Sequence, residues 1–85
     1  MKAITTKYHG PTDSKGSRIS ASDEDGNRVY TPYDHSMSGE LCHRQAAIAL
    51  CRKMGWSGSL TWGGIKTGYV YVWTGRPMDT FKVPA

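Results

Sequence analysis

The chain has 85 residues, eleven Lys and Arg against seven Asp and Glu, a net charge of +4 and 38% hydrophobic residues. One domain exhausts that length: so short a chain buries only about 60–65% of the surface its unfolded form exposes, which leaves little volume for an enclosed, water-free active site. The positive excess favours nucleic acid, an anionic protein surface or a phosphate-rich complex as partner, and argues against a whole-protein DNA mimic.

From the N-terminus, Ala3 to Tyr8 alternates, with Ile4, Thr6 and Tyr8 on one side and Thr5 and Lys7 on the other, which predicts a strand. The stretch from His9 to Gly16 is rich in turn formers. Ser17 to Ser22 alternates again, setting Ile19 and Ala21 against Arg18 and Ser20. Asp23-Glu24-Asp25-Gly26-Asn27 then contains the Asp-Gly pair of a tight hairpin turn. Arg28 to Tyr33 returns as a strand, and Pro32, which cannot donate to a ladder, marks an edge or a strand end.

The spacing predicts one helix, from about Gly39 to Met54. Ser38 is a good N-cap and Glu40 complements the first-turn dipole. Arg52 and Lys53 complement the last turn, Gly55 suits a left-handed stop, and Trp56 is placed to fold back on it. His43, Ala46, Ala47, Leu50 and Met54 form the stripe for the sheet, with two alanines permitting a close approach. Leu41 and Ile48 fall on the opposite face, beside Arg44, Gln45 and Arg52. Two further strands follow, Ser59 to Gly63 and Tyr69 to Thr74, and Gly75 to Ala85 reads as a surface tail with Phe81 docked. The predicted fold is α+β with two layers: one helix packed on an antiparallel sheet of about five strands, in the order strand-strand-strand-helix-strand-strand. Residues 1–74 make the domain and 75–85 the tail.

Metal and catalytic readings find little support in the spacing. Zinc sites want ligands at short repeats, but Cys42 and His43 are adjacent and diverge by about 100° on a helix, and His9 and His35 stand alone in turns. A Cys42–His43 catalytic pair lacks an orienting third group. The Gly63–Gly68 segment lacks the Lys-Ser/Thr continuation of a phosphate loop. Cys42 and Cys51, nine residues apart, would lie about 13 Å apart on one helix and cannot bridge. Met1 to Thr6 lacks the apolar core of a signal peptide and no membrane-spanning run occurs, so the expected setting is the cytoplasm. The reading is non-enzymatic, with no metal or cofactor and no membrane partner, and it leaves the oligomeric state open.

Three Trp and five Tyr against one Phe weight the composition toward rings with a polar edge, which are enriched at interfaces. In the last predicted strand Val70 and Val72 alternate with Tyr69, Tyr71 and Trp73. Small β-branched residues suit the side facing a close-packed helix, which would leave the three rings on the open face. Lys7, Arg18 and Arg28 on neighbouring strands would share it, as a surface for bases and phosphates or as a protein–protein hot spot. Cross-strand rings also stabilise sheets without any ligand. Asp23, Glu24 and Asp25 form a secondary acidic contact, or simply a hairpin tip.

The string Met1-Lys2-Ala3-Ile4-Thr5-Thr6-Lys7-Tyr8-x-Gly10-Pro11-Thr12, with Gly16-Ser17-Arg18-Ile19 and His43-Arg44-x-Ala46-Ala47-x-Ala49-Leu50-Cys51-x-Lys53-Met54-Gly55-Trp56, resembles a group of short, mostly uncharacterised proteins of bacteriophages, plasmids and integrated elements of proteobacteria. The resemblance runs to about Trp73 and implies a genomic setting rather than an activity. By analogy with anti-CRISPR proteins of similar size, it implies an inhibitor that occupies a functional surface of a host defence protein or ribonucleoprotein complex. The alternative is a small nucleic-acid-binding accessory protein using the same basic-aromatic face.

Overall fold

The structure, a computed structural model, describes residues 3–11, 16–74 and 81–83. Strands β1 (Ala3–His9), β2 (Arg18–Ser22) and β3 (Arg28–Pro32) precede helix α1 (Gly39–Met54), and β4 (Gly58–Ile65), β5 (Gly68–Trp73) and β6 (Phe81–Val83) follow it. All six join one antiparallel sheet in the order β3-β2-β1-β5-β4-β6. The fold is therefore α+β, one helix on one sheet, with six strands where about five were expected. The sixth comes from the expected tail. Phe-Lys-Val alternates in-out-in, and Val83 is buried against the core. Three residues are too short a pattern to stand out in a sequence. Residues 75–80 and 84–85 of that tail lie outside the described residues.

The helix forms where its caps direct. Ser38 accepts a hydrogen bond from the Leu41 amide at 3.3 Å. Gly55 takes φ 75°, its N–H reaching the Arg52 carbonyl while Trp56 N–H reaches the Cys51 carbonyl at 2.8 Å. That pair of bonds is a Schellman stop, which satisfies carbonyls the helix would otherwise leave orphaned. The buried positions are Cys42, His43, Ala46, Ala47, Leu50 and Cys51. Cys42 and Cys51 lie half a turn apart on the helical wheel, so the sheet covers about half of the circumference. Both cysteines are free. Cys42 donates to the Asp34 carbonyl at 3.3 Å.

The helix sits off-centre, packing on β1, β2 and β3 and only grazing β5. Under it Ile4, Ile19, Ala21, Ala46, Ala47 and Leu50 are fully buried. Beyond its edge the inner surface of β4, β5 and β6 is closed by rings instead. Trp62 and Tyr71 lie 5.7 and 5.8 Å from Phe81, Trp56 lies 5.7 Å from Trp73, and the Arg44 guanidinium is 4.5 Å from the Trp62 ring and 4.8 Å from Phe81. Trp62 Nε1 donates to Glu40 at 2.8 Å and ties the cluster to the first helical turn. Pro32 ends the edge strand β3, as its missing donor requires. No helix among the described residues is long and apolar enough to cross a membrane.

Candidate functional site

Strand register decides which side chains share a face, because directly paired residues point the same way. Ile4 pairs with Tyr71 and Thr6 with Tyr69, and Ile4 and Thr6 are buried under the helix. Tyr69, Tyr71 and Trp73 therefore face inward, and the expectation that they line the open face is corrected. Tyr71 is 0% exposed, Tyr69 packs 4.9 Å from His43, and Trp73 donates its Nε1–H to the Ser57 carbonyl at 2.9 Å. The physical reason is the helix's lateral offset. Small side chains suit a strand directly beneath a helix, but β5 lies at its margin, where only large rings reach across the gap. Val70 and Val72 occupy the outer face.

The open face is nevertheless basic and aromatic, with other rings. Successive rows across β1, β2 and β3 read His9–Arg18–Pro32, Lys7–Ser20–Tyr30 and Thr5–Ser22–Arg28. Lys7, Arg18 and Arg28 therefore lie together on it, on the side opposite the β5 rings with which they were expected to share a face, and are joined by Tyr30 and His9. The Arg18 guanidinium lies 5.4 Å from the Tyr30 centroid, and the His9 ring lies 5.7 Å from Tyr30. His9 Nε2 and Ser20 Oγ are 2.9 Å apart. Tyr30 is 52% exposed, whereas one terminal nitrogen of Arg18 is itself buried and has no hydrogen-bond partner among the described residues. Desolvation, then the charges of Arg18, Lys7 and Arg28, hold the His9 imidazole below its ordinary value. Among the described residues no strand contains an Asp or a Glu, so no carboxylate within a described strand neutralises these cations.

Tyr30 and His9 carried a readable signal: each has the same parity as a cation on its own strand, Arg28 and Lys7. His9 was lost to the turn-rich stretch after it, although β1 extends to include it. Asp23 does turn work. Its carboxylate accepts from the Asp25 and Asn27 amides at 3.0 and 2.9 Å and from the Asn27 side chain at 2.8 Å, closing a five-residue loop in which Gly26 takes φ 90°. Glu24 and Asp25 are exposed at its tip.

The adjacent Cys42 and His43 turn to different partners. Cys42 bonds Asp34 as described, whereas His43 Nδ1 lies 2.8 Å from Thr6 Oγ1. Burial lowers the His43 pKa and raises that of Cys51, so at neutral pH the imidazole is uncharged and the thiol stays protonated. No group of three or more metal-ligating side chains occurs among the described residues. A groove of about 570 Å³ runs between the outer flank of α1 and the end of β3, lined by Met37, Ile48 and Arg52 among others, and it accounts for Ile48 on the helix's far side. No protein-family model matches the chain, and no curated protein or solved structure matches it either.

Proposed function

We propose that this chain is a non-catalytic binding protein whose open sheet face holds a single strand of nucleic acid. The observation that carries the reading is Arg18 lying over an exposed Tyr30, flanked by His9, Lys7 and Arg28 on a sheet whose described strands contain no carboxylate. An accessible ring offers a stacking surface for any base, and cations spaced along neighbouring strands meet successive phosphates. An inhibitor of a host ribonucleoprotein complex would present the same residues to the nucleic acid of its target. That setting rests on the sequence resemblance alone.

The test is a salt titration of binding to a short labelled oligonucleotide, followed by fluorescence anisotropy. Three phosphate-contacting cations predict a slope of log K against log salt of about −2 for a single strand. Absence of binding at low salt, to RNA and DNA alike, would refute the reading.

A further inference from the structure

At the end of the sheet where β1 finishes and α1 begins, Tyr8, Tyr33, His35, Gly39 and His43 line a pocket of about 310 Å³. Its walls are rings held by one another: Tyr8 and Tyr33 meet edge to face at 5.3 Å, and Tyr33 and His35 lie 4.9 Å apart. Its inner side is His43, 7% exposed, braced by the Tyr69 ring at 4.9 Å. Thr6 Oγ1 occupies His43 Nδ1 at 2.8 Å. Nε2 is the ring nitrogen left over; it makes no hydrogen bond among the described residues and stays open to solvent.

We propose that this pocket takes one nucleobase, walled by the tyrosine rings and hydrogen-bonded through its edge to His43 Nε2. The inference takes its ligand class from the nucleic-acid reading above but uses none of the residues that carry it. A ring nitrogen that no protein group engages, at the inner side of a pocket walled by rings, is free to pair with a ligand that has a complementary edge. In either tautomer Nε2 offers one hydrogen bond. The volume lies at the small end of ligand pockets, enough for a single heterocycle. Charged ligands fit less well. Among the described residues no Lys, Arg, Asp or Glu lines the pocket, and Gly39, in the first turn of α1, brings the positive end of the helix dipole to its wall, which disfavours a cation.

Position supports the same ligand. Tyr8 and His9 are consecutive and point to opposite faces of β1, so the pocket and the open face meet at this end of the sheet. Tyr33 N–H donates to the Ser17 carbonyl at 3.1 Å, and Tyr8 donates to Ser17 Oγ at 3.1 Å. Both pocket walls are thereby anchored on the residue before Arg18. A strand leaving the open face past His9 and Arg18 would turn the corner with one base directed at His43.

The experiment follows the His43 Cε1–H resonance of the whole chain by NMR while phosphate-free nucleosides are added to millimolar concentration. A saturable shift with at least one of the common nucleosides is expected, with none from ribose or tetramethylammonium. Tyr33→Leu, and separately Tyr8→Ala at a 43% exposed position, should each weaken it by about tenfold, the scale of a lost stacking partner. Chemical-shift dispersion confirms that each variant folds. No shift with any nucleoside, a shift from tetramethylammonium instead, or a shift indifferent to both tyrosine variants would each overturn the proposal. Because nucleosides carry no phosphate, this outcome is independent of whether the open face binds an oligonucleotide.

Discussion

The Arg18 guanidinium lies 5.4 Å from the centroid of the Tyr30 ring, a cross-strand diagonal pair on the face that α1 leaves uncovered. Arg18 pairs directly with Pro32, and Tyr30 with Ser20. A planar cation over a ring presents both a donor array and a π-surface, the two elements that recognise a phosphate and the base attached to it.

Substituting the two members separately should divide those contributions. Tyr30→Ala removes a stacking surface and should weaken oligonucleotide binding by about 5- to 100-fold, with the salt slope unchanged. Arg18→Ala should lower the magnitude of the slope by about 0.7. Tyr30 is half exposed, so its variant should stay within about 1 kcal/mol of the parent in denaturant unfolding. Anisotropy at several salt concentrations distinguishes the two effects.

His9 supplies a pH dependence with a defined sign. Its pKa in the free protein is depressed by desolvation and by Arg18, Lys7 and Arg28. A bound polyanion offsets those cations and raises it, so binding takes up protons. Affinity for an oligonucleotide should therefore increase as pH falls from about 7 to 5, roughly two- to fivefold, the scale of an exposed ion pair. His9→Gln should remove that component, and an affinity in the parent that falls with acidity would contradict it.

Among the described residues Tyr71 is the largest fully buried side chain, and its hydroxyl makes no hydrogen bond of good geometry, only a weak polar interaction with Thr6. Desolvation pushes its phenol far above the ordinary range. Tyr71→Phe removes an unsatisfied polar atom at constant shape and should leave stability within about 1 kcal/mol of the parent or raise it. Tyr71→Ala removes the ring that closes the inner side of β5 and should cost about 3–5 kcal/mol. Urea denaturation of both variants checks the contrast.

Gly68 is fixed by space rather than by backbone conformation. A Cβ there would collide with the Thr6 carbonyl and lie 3.1 Å from His43 Cε1. Backbone cannot yield as a side-chain tip can, so Gly68→Ala should destabilise by about 3 kcal/mol or more and disturb the Thr6–His43 bond. Thermal unfolding reads the first effect and the His43 ring resonances the second. Gly63→Ala meets nothing within 4 Å and serves as the control.

The helix was fully legible because its signals are local: the cap serine, the terminal charges, the stop glycine and the tryptophan after it all lie within a turn of the element they define. The strands were legible for the same reason, except β6, whose three residues are too few for alternation to register. The face of β5 was not. Alternation shows that Tyr69, Tyr71 and Trp73 share a side, but which side depends on where the helix lies across the sheet. That is fixed by pairing between residues some 65 positions apart, such as Ile4 with Tyr71. Lys7, Arg18 and Arg28 could be placed because Ile19 and Ala21 beside Arg18 are unambiguously core. The pocket around His43 was illegible, since Tyr8, Tyr33 and His43 come from three elements and converge only through Thr6 and Ser17.

The offset of α1 also divides the molecule by chromophore. Trp56, Trp62 and Trp73 all belong to the ring cluster beyond the helix's edge, and none lies in β1, β2, β3 or α1. Selectively excited tryptophan emission thus watches one flank, whereas helical ellipticity watches the other. Melting curves recorded both ways on one sample would superimpose only if the two flanks come apart together, so an ordinary spectroscopic comparison can reveal whether the aliphatic and aromatic sides form one cooperative unit.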